Sequence, residues 1–186
     1  MRVFLAVELP NQIKNSIKEL MHKIEPYSRY IKLTPINNLH FTLKFLGEQN
    51  DFSMEKIKET AKNEIEKMDA FEINIDKSGI FGNIKNPKIV WLGQDNKEFI
   101  LSAKRINKAL DAFRFEPKPP VCHLTIGRIK RISVADMTEV LNICKDFVNK
   151  NNLRFCVSRV YLYKSILSRN GAIYEKIENF KMKGSC

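Results

Sequence analysis

Hydrophobic residues recur along this chain with two different periods, and the changes of period mark its elements. In "RVFLAVEL" Val3, Leu5, Val7 and Leu9 alternate with other residues, as in a strand, and Pro10 closes the run. From Asn11 to Ile24 the spacing becomes helical, with Ile13, Ile17, Leu20, Met21 and Ile24 on one face. His22 falls off that stripe and is expected at the surface. A second helix is expected with Ser53 as its cap and Met54, Ile57, Ala61, Ile65 and Met68 as its stripe. "AFEINIDKSGIF" and "KIVWLGQ" alternate as strands. Asp95 with Glu98 has the form of a capping box for a third helix through Phe99, Ala103, Ile106, Leu110 and Phe113, which Pro117, Pro119 and Pro120 end. Ser133 with Asp136 opens a fourth, through Met137, Val140, Leu141, Cys144 and Phe147. The remainder, "LRFCVSRVYLYKSIL" and "AIYEKIENF", reads as two strands around the turn "SRNG".

Helical and strand patterns alternate, yet hairpins occur among them. That mixture predicts an α+β fold with largely antiparallel sheets rather than a doubly wound parallel sheet. With 186 residues and no Pro/Gly/Ser-rich linker, residues 1–186 are expected to form a single domain or two small, intimately packed lobes. "VFLAVEL" is far too short to span a membrane and lacks the small-residue cleavage site of a signal peptide, so a cytoplasmic protein is expected. Cys122, Cys144, Cys156 and Cys186 contain no Cys-x-x-Cys pair and read as reduced core or tail thiols, with neither a zinc site nor a disulfide framework. A net charge of +11 suits a polyanionic partner such as nucleic acid, or a merely Lys-rich surface. The cations are spread along the whole chain, and charge alone locates no site.

Candidate chemistry enters through a repeat. "NNLHFTLKFLG" contains His40 and Thr42, and "PPVCHLTIGRI" contains His123 and Thr125, at the same interval from motif to motif. On a strand, alternation places His40, Thr42 and Lys44 on one face and Phe41, Leu43 and Phe45 on the other. His123 and Thr125 likewise share a face, with Cys122, Leu124 and Ile126 behind them. A lone histidine in a strand is usually a structural residue, but two copies of His-apolar-Thr-apolar point to a shared site. An imidazole titrates near neutrality, so one ring can take a proton while the other gives one. Phosphodiester cleavage needs both: a base for the attacking hydroxyl and an acid for the departing alkoxide. The threonine hydroxyls can donate to phosphate oxygens. Two histidines alone leave a zinc site short of ligands, and no metal is expected.

At these residues the sequence resembles the two-histidine phosphoesterase superfamily, and most closely its RNA 2′,3′-cyclic phosphodiesterases, the LigT-like (ThpR) family historically called 2′-5′ RNA ligases. "RVFLAVELP", "HFTL", "HLTI", "LKFLG", "GRIK", "IVWLG" and "VYLYKSILSRNGAIYEKI" carry the likeness over nearly the whole chain. The resemblance implies a bilobal α+β fold with a pseudo-two-fold repeat, two mainly antiparallel sheets facing a central cleft, and helices outside. It implies metal-independent hydrolysis of an RNA 2′,3′-cyclic phosphate to a 2′-phosphate, without a cofactor. His40 then matches the proton donor to the departing 3′ oxygen and His123 the acceptor that activates water; the residues themselves leave that choice open. Thr42 and Thr125 match the phosphate-contacting threonines and Arg128 a phosphate-holding arginine, although strict alternation turns Arg128 away from His123 unless the strand bulges or ends near Gly127. Tyr163 and Phe45 are candidates for stacking on a base, core packing being the favoured role for Phe45, and Lys44 is a candidate for assisting phosphate binding. The expected partner is RNA with 2′,3′-cyclic phosphate ends, tRNA fragments among them, met by a monomer without membrane or obligatory protein partner. Rival readings are a 2′,5′-phosphodiesterase or reversible 2′-5′ ligase, and an RNA-end binding protein without turnover.

Overall fold

The first strand shows how the two periods are used. The computed structural model describes residues 1–113, 119–168 and 171–186. β1 (Arg2–Glu8) buries both faces: Val3, Leu5 and Val7 join the main core, while Phe4 and Ala6 pack with Tyr163 on the other side. α1 (Asn11–Ile24) follows and buries Ile13, Ile17, Leu20 and Ile24, as the helical spacing requires, with His22 exposed. Next come β2 (Ile31–Leu33), a 3-10 turn at Ile36–Asn38 and β3 (His40–Glu48). α2 (Asp51–Ile65), β4 (Phe71–Asn74), β5 (Lys77–Asn83) and β6 (Asn86–Gly93) lead to α3 (Lys97–Ala109) and β7 (His123–Ile129). α4 (Val134–Lys150), β8 (Arg154–Val157), β9 (Arg159–Ser168) and β10 (Gly171–Lys181) complete the chain.

The strands form the expected α+β arrangement. One mainly antiparallel sheet runs β10-β9-β1-β3-β7-β6-β5, with β2 added beside β7, and β4 pairs with β8 in a small second sheet. The two halves of the large sheet are continuous, but they meet in one residue pair, Phe41 opposite Leu124. Gly127 lets β2 close on β7, because a Cβ there would lie 2.5 Å from the Ile31 side chain.

Several local expectations are corrected. α2 is capped by Asn50, whose side chain accepts from the Ser53 N–H at 2.9 Å, so Ser53 lies inside the helix. Asn96, not Asp95, caps α3 by accepting from Phe99 N–H at 2.8 Å, and Asp95 pairs with Lys77 instead. The Ser133 cap on α4 stands: its hydroxyl accepts from Asp136 N–H at 3.0 Å and donates to the Asp136 carboxylate at 2.8 Å. The run read as one strand through Leu153–Leu167 is two, because at Ser158 the chain changes sheets and its carbonyl accepts from Met182 N–H. Pro117 and the turn residues Arg169 and Asn170 lie outside the described residues. The cysteines were expected to be thiols throughout, yet Cys156 and Cys186 form a disulfide. The tail runs back along β4 and β8, through Ala70 N–H to Lys183 O, and so delivers Cys186 to the exposed side of β8. Cys122 and Cys144 are buried thiols, each pushed up to about 12 by desolvation.

Candidate active site

Each histidine begins a strand, and the two strands are built alike. In β3 the residue Leu43 is skipped between Thr42, opposite Ala6, and Lys44, opposite Leu5. In β7 the residue Ile126 is skipped between Thr125, opposite Trp91, and Gly127, opposite Val90. These are β-bulges at equivalent places, three residues after each histidine, and both strands show the same order of half-buried, buried and exposed positions. Each bulge inverts the alternation that follows it. Extending the Phe41–Leu124 pair by one residue on each side sets His40 across from Thr125 and Thr42 across from His123, all on one face. The four side chains of the repeated motif therefore come together.

The same bulges decide the remaining candidates. Arg128 is brought round to the histidine face, where its charge reaches both His123 and Tyr174. Lys44 is turned the other way, contrary to the expectation from strict alternation. It is 6% exposed, and its ammonium donates to Asn107 Oδ1 of α3 at 2.9 Å. Phe45, read as core, is instead 51% exposed and touches the Phe4 ring at 5.8 Å. Tyr163 does reach this face but is only 7% exposed, stacked on Phe4 at 5.3 Å, so it forms floor rather than a free stacking surface.

Backbone carbonyls fix both imidazoles. His40 Nδ1–H donates to Asn38 O at 2.7 Å, and His123 Nδ1–H donates to Val121 O at 3.0 Å. A carbonyl can only accept, so each neutral ring carries its proton on Nδ1 and leaves Nε2 able to take or give one. Asn38 is itself anchored, its side-chain amide donating to Ala172 O of β10 at 2.7 Å. Aromatic rings enclose the imidazoles: Phe4 at 4.9 Å and Tyr174 edge-on at 5.3 Å around His40, Phe81 edge-on at 4.8 Å beside His123. Burial pushes His40 down to about 4, the charge on His123 adding to the effect and the Asn38 carbonyl opposing it. Burial also lowers His123, with the Arg128 charge contributing and the Val121 carbonyl opposing.

Phe4, Tyr174 and Phe81 were missed in the sequence because their nearness to the histidines depends on cross-strand register and sheet twist. A groove of about 510 Å³ lies elsewhere, between α3 and the segment entering β7, and contains neither imidazole. Among the described residues, no group of three or more His, Cys, Asp or Glu side chains is placed to hold a metal ion. Nor is any described helix long and apolar enough to cross a membrane.

Comparison with known proteins settles the family. The model of the LigT-like phosphoesterases matches residues 7–91 and 94–174, one His-x-Thr motif in each stretch. The chain belongs to the LigT-like phosphoesterase family. A relative from Methanocaldococcus jannaschii named RNA 2′,3′-cyclic phosphodiesterase is 32% identical, with 97% of this chain and 100% of that one covered. Another of the same name, from Methanothermobacter thermautotrophicus, is 30% identical over 97% of this chain and 98% of its own. Among solved structures, TT0787 of Thermus thermophilus superposes with a TM-score of 0.82 at 23% identity, 99% of each chain being covered. Escherichia coli LigT complexed with 3′-AMP gives 0.77 at 20% identity, with 98% of each chain covered. This chain thus shares the phosphoesterase family and its fold.

Proposed function

We propose that this protein opens RNA 2′,3′-cyclic phosphate ends to 2′-phosphates, using His40 and His123 as an acid–base pair. The observation that carries the reading is the meeting of both His-x-Thr motifs on one face, with each imidazole held so that Nε2 is its exchangeable nitrogen. The relatives named RNA 2′,3′-cyclic phosphodiesterase support the choice of ester.

In this mechanism the cyclic phosphate lies between the imidazoles, with the Thr42 and Thr125 hydroxyls and Arg128 on its non-bridging oxygens. His123 Nε2 takes a proton from water as the oxygen attacks phosphorus. The P–O3′ bond breaks, and His40 gives its proton to the departing 3′ oxygen, leaving phosphate on O2′. Arg128 and the threonines offset the negative charge that grows on the phosphorane oxygens. Desolvation makes a protonated His40 a willing donor, because its surroundings favour the neutral ring; the anionic phosphate supplies the opposing charge that lets it be protonated on binding. No step requires a metal.

The test is to incubate chelator-treated protein with an oligoribonucleotide ending in a 2′,3′-cyclic phosphate and to identify the new terminus. A 2′-phosphate is expected. A 3′-phosphate would reverse the direction of opening and with it the assignment of acid and base, and binding without turnover would leave an RNA-end binder.

A further inference from the structure

We infer that a basic strip beginning beside Arg128 and running away from the histidines along β7 and β2 holds the RNA chain upstream of its cyclic end. The inference rests on the proposed RNA-end reaction and extends it to the substrate class: an oligonucleotide rather than a mononucleotide.

Lys32 on β2 is directly opposite Arg128 on β7, so the two exposed cations share the histidine face. Directly opposed side chains have Cβ atoms about 5 Å apart, so the two charges can face successive phosphates of one strand. The close approach of β2 that brings them together depends on Gly127, since a Cβ there would also lie 3.2 Å from the Lys32 carbonyl.

The charge continues beyond that pair. Lys130 N–H donates to Tyr30 O at 2.9 Å, which extends the β2–β7 pairing and brings Arg29 and Tyr30 beside Lys130 and Arg131. Arg29 lies over the Tyr30 ring at 5.8 Å. Arg29, Lys130 and Arg131 are exposed. Among the described residues, neither these three nor Arg128 forms an ion pair, whereas other cations such as Lys14, Lys77, Arg105 and Lys176 do. Tyr30 packs partly against the main core, so the strip is a run of exposed cations starting at the scissile phosphate, the form of a track for the backbone of a single strand. With Arg128 on the terminal phosphate, Lys32 reaches the next one and Lys130 and Arg131 those further upstream. Part of the net charge of +11 thereby acquires a location.

The experiment measures kcat/KM at several salt concentrations for a cyclic-phosphate-ended hexaribonucleotide and for a mononucleoside 2′,3′-cyclic phosphate. The proteins are wild type, the triple variant Lys32→Gln, Lys130→Gln, Arg131→Gln, and a matched variant Lys18→Gln, Lys62→Gln, Lys145→Gln on the outer helices. All six positions are exposed, so the variants are expected to fold. Wild type should prefer the hexamer. The strip variant should lose at least about tenfold of that preference, and its hexamer salt slope should shrink by about 2, at roughly 0.7 for each phosphate that is no longer neutralised. The helix variant should keep both preference and slope. Equal losses in the two triple variants, or an unchanged preference in the strip variant, would overturn the strip. Failure of wild type on both substrates would instead overturn the phosphodiesterase reading, and the strip with it.

Discussion

His40 packs against Phe4 and Tyr174, which also touch each other, and the carbonyl that fixes its ring belongs to Asn38, which is tied by its side chain to β10. His123 meets Phe81 on one side, feels the charge of Arg128, and is fixed by the carbonyl of Val121, a residue with no side-chain donor to anchor it. Strand, bulge and tautomer are repeated between the two halves of the sheet, while neighbours are not. Repetition thus supplies two imidazoles of the same tautomer on one face of the sheet. Their surroundings are unequal, as the proposed acid–base pair would need, with one donor and one acceptor at the same moment.

Removing either nitrogen should have the largest effect. His40→Ala and His123→Ala are each expected to lower kcat by about 10²-fold or more with the fold retained, and the double variant to be little worse than either single one, since the two act as a unit. Single-turnover rates with circular dichroism check both points. Arg128→Ala comes next: removing a charge-assisted hydrogen bond to phosphate should cost about 10- to 100-fold in kcat/KM, with partial recovery in Arg128→Lys. The same change should raise the His123 pKa, readable by NMR titration, because a neighbouring positive charge has gone.

The unequal burial also has a consequence for stability. The folded-state pKa of His40, about 4, lies below its ordinary 6.5, so the unfolded chain takes up this proton first as the pH falls. The stability contributed by the neutral buried ring is complete above about pH 6.5 and is lost as the pH drops through about 4, by ~3 kcal/mol at most. The denaturant midpoint of wild type should fall relative to that of His40→Gln as the pH drops from about 6.5 to about 4, since only wild type has this proton to take up. The smallest effects belong to the aromatic neighbours. Tyr174→Ala should move the His40 titration upward and leave that of His123 nearly in place, and Phe81→Ala should do the converse. Equal shifts of both rings by either change would mean that the two environments are not separate.

Most of the element order and the pairing of the two motifs were legible in the sequence, because apolar periodicity and a repeated His-x-Thr survive without knowledge of register. What alternation alone could not supply was the inserted residue in each strand. Leu43 and Ile126 look like ordinary strand residues, yet the bulges they create exchange the positions of Lys44 and Phe45 and bring Arg128 to the site. The caps were misplaced by one to three residues where an asparagine stood close to the chosen residue, as Asn50 does before Ser53. The Cys156–Cys186 bond was invisible because their proximity is created by the returning tail rather than by any local spacing. Phe4, Tyr174 and Phe81 were hidden for the same reason, each reaching its histidine across strands distant in sequence.

The most direct test of the paired-histidine mechanism is the pH dependence of kcat for wild type, His40→Ala and His123→Ala on a cyclic-phosphate-ended RNA with chelator present. A bell is expected for wild type, with the alkaline limb absent in His40→Ala, which has lost the acid, and the acidic limb absent in His123→Ala, which has lost the base. Loss of the same limb in both variants, or a wild-type bell that persists unchanged in either, would contradict the division of labour between the two rings.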